Sequence, residues 1–288
     1  MTGRIVISGA GGLVGRVLAG QARQAGHDVV ALTSAEWDIT DPAAAARVVG
    51  AGDIVVNCAA FTKVDAAEAE PDRARAVNVV GAGNVAHACA QAGASLIHIS
   101  TDYVFSGAFD GATPHPYDID DPTGPLSVYG RTKLDGERAV LDALPEAYVV
   151  RTAWIYEGGD GSDFAAVMRR AALGGDSVDV VADQIGSPTY VADLCQALLQ
   201  VAAGSVRGPI LHAANAGAIS RFEQAQAVFA ELGADPARVR PVGSDRHPRP
   251  APRPPYSALS SVKSAEAGLT ALRPWREALA EALATAAG

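Results

Sequence analysis

Certain segments of this chain carry residue types at spacings that could move a proton. Tyr129-Gly130-Arg131-Thr132-Lys133 is a YxxxK motif within a stretch of helical character. Residues four apart share one face of a helix, and an ammonium beside a phenol favours the phenolate and lowers its pKa. Tyr129 could then exchange a proton with a carbonyl or alcohol oxygen near neutral pH, tuned by Lys133. A solvated helix pair would give the same spacing. Upstream, Ser100-Thr101-Asp102-Tyr103-Val104-Phe105 follows an apolar run. Open α/β sheets collect ligands at the carboxyl ends of their strands. A Thr101 hydroxyl placed there can bond a substrate carbonyl and Tyr129 together, or Thr101 and Asp102 simply cap the exit loop.

A third segment could hold an anion. Gly9-Ala10-Gly11-Gly12-Leu13-Val14-Gly15 sits between a first apolar run and a first helical one. Glycine permits a tight turn and close approach of backbone to a pyrophosphate, and a helix N-terminus favours the negative charge. The spacing of Gly9, Gly12 and Gly15 is GxxGxxG, and its setting between strand and helix points to a dinucleotide. The next apolar run ends at Leu32-Thr33-Ser34 without a carboxylate. An acidic residue at that tip would bond a ribose 2′-hydroxyl and repel a 2′-phosphate, so NADPH is expected, with NADH possible. Arg16 is either a phosphate partner or a solvated helix residue. Asp38 and Ile39 follow, facing the adenine or, for Asp38 with Asp41, capping a turn.

The elements that must position these residues alternate. Arg4–Ser8, Asp28–Leu32, Asp53–Asn57, Ala94–Ser100 and Ala147–Thr152 are short β-branched or apolar runs that predict buried strands. Helical periodicity covers Gly12–Gln24, Asp72–Ala92 and Ser127–Leu144, and Asp41-Pro42 starts a short helix. Such alternation predicts an α/β fold, a Rossmann-type parallel sheet flanked by helices. Residues 1–150 form the expected NAD(P)-binding domain, and 151–288 a smaller C-terminal α/β region that mainly binds substrate. In that region helices are expected near 163–173, 190–203 and 221–232, with strands near 178–181 and 209–213. Pro241, Pro248, Pro250, Pro252, Pro254 and Pro255 make the stretch 241–256 a loop or extended crossing.

Bulk properties narrow the function. Hydrophobic residues make up 49% and charged residues 19% of the 288, enough to bury a sizeable core. A net charge of −9 argues against nucleic acid, which demands clustered Lys and Arg. Cys58, Cys89 and Cys195 lie far apart, with no CxxC pair, so neither a disulfide framework nor a zinc site is expected. No signal-like start and no long apolar stretch predict a chain outside the membrane, in the reducing cytoplasm.

STDYVFSG, YGRTK, RTAWIY and DQIGSPTYVADL, in this order, resemble the dTDP-4-dehydrorhamnose reductase family of extended short-chain dehydrogenases. The likeness runs from GAGGLVG through NCAAFTKVDAAE to the Arg-Pro segment near 253. It implies NADPH-dependent reduction of the C4 ketone of dTDP-4-dehydro-L-rhamnose to dTDP-L-rhamnose, or of another dTDP-deoxysugar. Some relatives are instead NADP-binding regulatory subunits, an outcome that retention of Thr101, Tyr129 and Lys133 disfavours. By the same resemblance Tyr129 is the proton donor, Lys133 holds the nicotinamide ribose, and Thr101 assists. Thr101 and Asp102 contact the sugar, Trp154 packs on its ring, and Arg253 reaches the pyrophosphate. Gly12, Leu13, Val14, Asp38, Ile39, Ala60, Phe61 and Thr62 match the family's cofactor contacts. Relatives with a magnesium-bridged dimer carry a Glu where this chain has Val17, which cannot ligate a hard cation. No metal requirement is therefore expected, and the chain should be a monomer or a metal-independent homodimer.

Overall fold

The computed structural model describes residues 3–286. In the first half, strands β1 (Ile5–Ser8), β2 (Val29–Leu32), β3 (Ile54–Asn57), β4 (Ser95–Thr101) and β5 (Tyr148–Thr152) alternate with helices. These are α1 (Leu13–Gln24), α2 (Pro42–Val48), α3 (Val64–Ala69), α4 (Pro71–Arg75), α5 (Ala82–Ala92) and α6 (Val128–Ala143). Asp41 caps α2 through the Ala43 N–H, and Ser127 caps α6 through that of Gly130 at 3.1 Å. The helix expected over Asp72–Ala92 is interrupted by a π turn at Ala76–Gly81. That wide turn presents Asn78 to the Phe61 backbone, whose N–H it accepts at 2.8 Å, and to the Thr132 hydroxyl at 3.0 Å. Spacing arguments cannot see such a bulge, because it shifts the helical register by a single residue.

The second half contributes β6 (Ile155–Tyr156), α7 (Phe164–Leu173), β7 (Val178–Val181), β8 (Ile185–Gly186), β9 (Thr189–Tyr190) and α8 (Val191–Ala202). It continues with β10 (Ile210–His212), β11 (Ile219–Ser220), α9 (Arg221–Glu231), β12 (Val239–Val242), α10 (Val262–Glu266) and α11 (Trp275–Thr285). The larger expected elements of this half are present. Its paired two-residue strands and the five-residue α10 are too short to show a period, as is α3 in the first half, whereas α11, with Ala278, Leu279, Ala282 and Leu283 buried on one face, adds a helix to those expected.

The main sheet has the order β10-β5-β4-β3-β1-β2, with every pairing parallel. Its sixth strand, β10, comes from beyond residue 151, and α8 packs on α1, so the C-terminal half also completes the first layer. Both faces are covered. Ile5, Ile7, Ile54, Val56, Ile97 and Val150 pack into the core under α1 and α8. Val6, Val55, Leu96 and Val149, one residue out of phase, pack into the core under α2 and α5. Burial on both faces explains the uninterrupted apolar runs. Where those runs end, Ser8, Asn57 and His98 stand side by side in register on β1, β3 and β4.

One buried ion pair fastens α6 to the sheet. The Arg151 guanidinium on β5 bonds both carboxylate oxygens of Glu137 on α6, at 2.9 and 2.7 Å, and Ser100 on β4 bonds the same group at 2.5 Å. Both side chains of the pair are 3% exposed. Removing one partner from such a pair strands a buried charge and costs about 3–5 kcal/mol. Arg151→Met should therefore lower the unfolding free energy in urea by roughly that amount. An unchanged denaturation midpoint would show that the pair does not anchor the helix.

Candidate active site

The loop after β1 is built to approach an anion. Gly9 has φ +66°, and a Cβ there would lie 2.7 Å from the Ala59 nitrogen. A Cβ on Gly15 would lie 2.6 Å from the Gly9 carbonyl oxygen. Gly12 starts α1 with no side-chain cap, and no acidic residue follows in the first turn, so the free N–H groups of that turn face outward for an anion. Gly9, Gly12, Leu13, Val14 and Gly15 line one wall of a cleft of about 740 Å³. Asp38 and Ile39 line it from the β2 side, and Ala60, Phe61 and Thr62 from the loop after β3. The shape, the bare helix end and the apolar walls fit a dinucleotide.

On its polar rim the structure decides between the two readings of Arg16 in favour of the solvated helix residue. Arg16 is exposed and paired with Glu157 at 2.7 Å rather than lining the cleft. The cation that does line it is Arg73 of α4, whose guanidinium lies 5.5 Å from the Phe61 ring centroid. The tip of β2 also has a carboxylate after all. Glu36 accepts from the Thr33 N–H and hydroxyl, each at 2.8 Å. It arrives from three residues along the chain, through a turn that strand-end inspection does not include. Asp38 lines the cleft and also closes its own turn, accepting from the Thr40 N–H at 2.9 Å.

A second cleft, of about 370 Å³, adjoins the first and shares Val14, Cys58, Ala60, Thr62 and Ile155 with it. Thr101, Asp102, Tyr129, Lys133 and Trp154 all line this space, so the separate motifs converge. Lys133 and Tyr129 share the face of α6 that their spacing required. Lys133 is buried, donates to the Ile99 carbonyl at 2.7 Å and lies 3.3 Å from Nε2 of His98. Burial pulls its pKa down to about 8, against the nearby Glu137 and Cys58.

The Tyr129 phenol moves the opposite way from the sequence expectation. Burial pushes its pKa above the ordinary value, with Asp102 and Tyr103 adding to the rise and the Thr101 hydroxyl opposing it. Desolvation of the phenolate outweighs any help from Lys133, whose amine is anchored on the strand, so Tyr129 rests as the protonated phenol. Asp102 is fully buried and its pKa is raised to about 6 by that burial, against bonds from Ser257 at 2.6 Å and Thr101 at 3.1 Å.

Trp154 is partly exposed at the cleft wall, not sealed in the core, and adopts φ +46°. A bulky residue in that region is strained and persists only where its surroundings impose it. The Arg221 guanidinium stacks on its ring at 3.6 Å. Arg221 opens α9 and lines both this cleft and a third of about 370 Å³. Arg253 lies in the third, bonded to Asp65 of α3 at 2.7 and 3.0 Å. Arg221, Ser257 and Asp65 carry no sequence signal of a role: each is an ordinary polar residue until the C-terminal half folds back onto the first.

A family model, the RmlD substrate binding domain, matches residues 3–287. The dTDP-4-dehydrorhamnose reductase of Mycolicibacterium smegmatis is 66% identical over 288 residues, covering 100% of this chain and 87% of that protein. That of Mycobacterium tuberculosis strain H37Rv is 62% identical over 284 residues, covering 99% and 93%. The crystal structure of the Bacillus anthracis dTDP-4-dehydrorhamnose reductase in complex with NADP superposes with a TM-score of 0.91 at 35% identity, covering 99% of this chain and 100% of that one. This chain belongs to the dTDP-4-dehydrorhamnose reductase family and is an oxidoreductase.

Proposed function

We propose that the chain catalyses the NADPH-dependent reduction of the C4 ketone of dTDP-4-dehydro-L-rhamnose to dTDP-L-rhamnose, with Tyr129 as the proton donor. The observation that carries this reading is that the cleft lined by Thr101 and Tyr129 adjoins both others, sharing Val14 and Thr62 among its walls with the first and Tyr103 and Arg221 with the third. In it, residues 1–150 hold the dinucleotide and residues 151–288 mainly the nucleotide sugar.

When bound, NADPH supplies the hydride. The glycine loop and α1 hold its pyrophosphate, with Asp38, Ile39, Ala60, Phe61 and Thr62 along its length. Lys133 and Tyr129 line the adjoining cleft, and Lys133 takes the nicotinamide ribose. Thr101 bonds the sugar's ketone oxygen while Tyr129, resting as a phenol, gives that oxygen its proton. Asp102 accepts from a sugar hydroxyl, and Trp154, braced by Arg221, packs on the ring. Arg253 and Arg221 flank the third cleft, where cations suit a pyrophosphate. The protein works in the cytoplasm as a monomer or a metal-independent homodimer. Val17 is half-buried against the core, and the described residues contain no cluster of three or more His, Cys, Asp or Glu side chains that could hold a metal.

Tyr129→Phe keeps the ring and removes the proton, so turnover should fall about 10²-fold or more while NADPH still binds. Product identification by NMR from dTDP-4-dehydro-L-rhamnose tests the substrate; near-normal turnover by the variant would remove Tyr129 from its role. Glu36 holds a charge on Thr33 at the rim of the dinucleotide cleft, and one charge pair in water is worth about 1 kcal/mol. Glu36→Gln should thus raise the NADPH-to-NADH ratio of kcat/KM by about fivefold, and an unchanged ratio would place the 2′-phosphate elsewhere. EDTA should alter neither the rate nor the size seen by light scattering; a metal-dependent dimer would contradict the reading of Val17.

A further inference from the structure

The proline-rich crossing over 241–256 ends on a buried hydroxyl that the reaction as described does not use. Ser257 is 1% exposed, and its Oγ donates to Asp102 Oδ2 at 2.6 Å. The backbone around it is fastened to β8. The Ser257 N–H donates to the Ile185 carbonyl at 2.8 Å, and the Pro255 carbonyl accepts from the Ile185 N–H at 2.9 Å. The same segment lies flush against the loop that follows Asp102, where a Cβ on Gly107 would come within 2.7 Å of Pro255 and 2.9 Å of the Tyr256 nitrogen. Main-chain contacts therefore place the Ser257 hydroxyl.

Asp102 has a second side-chain donor of a different kind. Thr101 Oγ1 donates to Asp102 Oδ1 at 3.1 Å and accepts from the Tyr103 N–H at 3.2 Å. A hydroxyl has one proton to give, and a ketone oxygen can only accept. Thr101 can therefore bond the substrate ketone only by taking its proton off Asp102. The carboxyl group, 2% exposed, loses a donor just as the substrate shields it from water. A buried carboxylate short of donors takes up a proton. A sugar hydroxyl can replace the Thr101 bond at Oδ1 once the substrate has docked. Besides the Asp102 N–H itself, Ser257 is the donor that stays throughout.

From these bonds we infer that Ser257 is a positioning residue, which keeps Asp102 ionised and its Oδ2 fixed while Oδ1 exchanges the Thr101 hydroxyl for a hydroxyl of the sugar. The inference deepens the proposed reduction and rests on it for the substrate. Burial raises the Asp102 pKa to about 6, against the bonds from Ser257 and Thr101 and the charge of Arg221 on α9. The phenols of Tyr103 and, on α6, Tyr129 also face Asp102, and burial holds both pKa values above the ordinary one, so both are neutral here. Arg253, whose charge bears on Tyr103 and Arg221, is neutralised by Asp65. Asp102 is thus the member of this group that changes charge near pH 6. A carboxyl deprived of a donor keeps its proton to higher pH, so without Ser257 the ionised form is lost earlier on acidification.

The test begins with the carboxyl group in the ligand-free enzyme. ¹³C spectra of protein labelled at the Asp carboxyls, with Asp102 assigned by the signal lost in Asp102→Asn, should show a midpoint at about 6. In Ser257→Ala that midpoint should rise by about one to two pH units. The acid limb of kcat/KM for the 4-keto sugar should rise by the same amount. Well above it, where Asp102 is ionised again, the variant should regain most of the wild-type kcat/KM. An unmoved carboxyl midpoint in the folded variant would overturn the inference. So would a rate defect equal at every pH, the result of a purely structural role. A variant that does not fold would assign the hydroxyl to holding the crossing in place, and would overturn it too. If the wild type reduces no 4-keto sugar, the proposed reaction fails, while the carboxyl titration still decides the role of Ser257.

Discussion

The Glu137–Arg151 pair is the interaction on which the placement of the chemistry depends. Helix α6 carries Tyr129 and Lys133, and close backbone approaches at Gly130 and Gly136 bring it against the Tyr103 and Asn78 carbonyls without fixing it by a directional bond. A bidentate guanidinium–carboxylate contact does fix it, because its geometry is directional. Ser100 adds a third bond from β4, whose following residue is Thr101, so the hydroxyl and the phenol inherit one frame of reference. The pair lies away from the cleft, under the helix, where water cannot loosen it.

Around that fixed helix, charge is kept scarce and paired. Asp102 is buried with Ser257 and Thr101 as its donors, and Arg221 is nearby, its pKa drawn down to about 10 by burial. Arg253 is neutralised by Asp65, whose carboxyl it holds below the usual range. The Asp102–Ser257 and Asp65–Arg253 contacts join the first half to the C-terminal half. Anions entering the third cleft would meet cations already oriented by carboxylates, so little reorganisation is needed on binding.

The strands and helices of the first half are legible in the sequence because burial on both faces writes itself as continuous β-branched runs, as in Ile5–Ile7 and Ile54–Val56. The glycine-lined cleft is legible for a related reason: a tight strand-to-helix turn leaves no room for a Cβ at Gly9, against Ala59, or at Gly15, against the Gly9 carbonyl, so the turn is written as glycines. Tyr129 and Lys133 are legible because the helix period is local. The rim of the cleft is not. Arg16 and Glu36 are both surface residues whose partners, Glu157 and Thr33, depend on how the chain turns around them.

Local periodicity and backbone sterics, then, determined the parallel sheet, the glycine turn and the spacing of the proton-bearing pair. Tertiary structure alone decided the electrostatics. The Tyr129 phenol lies above its ordinary pKa and the Lys133 amine below, since desolvation acts through everything packed around a group and not through its sequence neighbours. Likewise Ser8, Asn57 and His98 are about forty to ninety residues apart in sequence and become one hydrogen-bonded row only when β1, β3 and β4 pair in register. Trp154 lines the cleft because the chain turns there through φ +46°, and Arg221 arrives from α9 to cover one face of its ring.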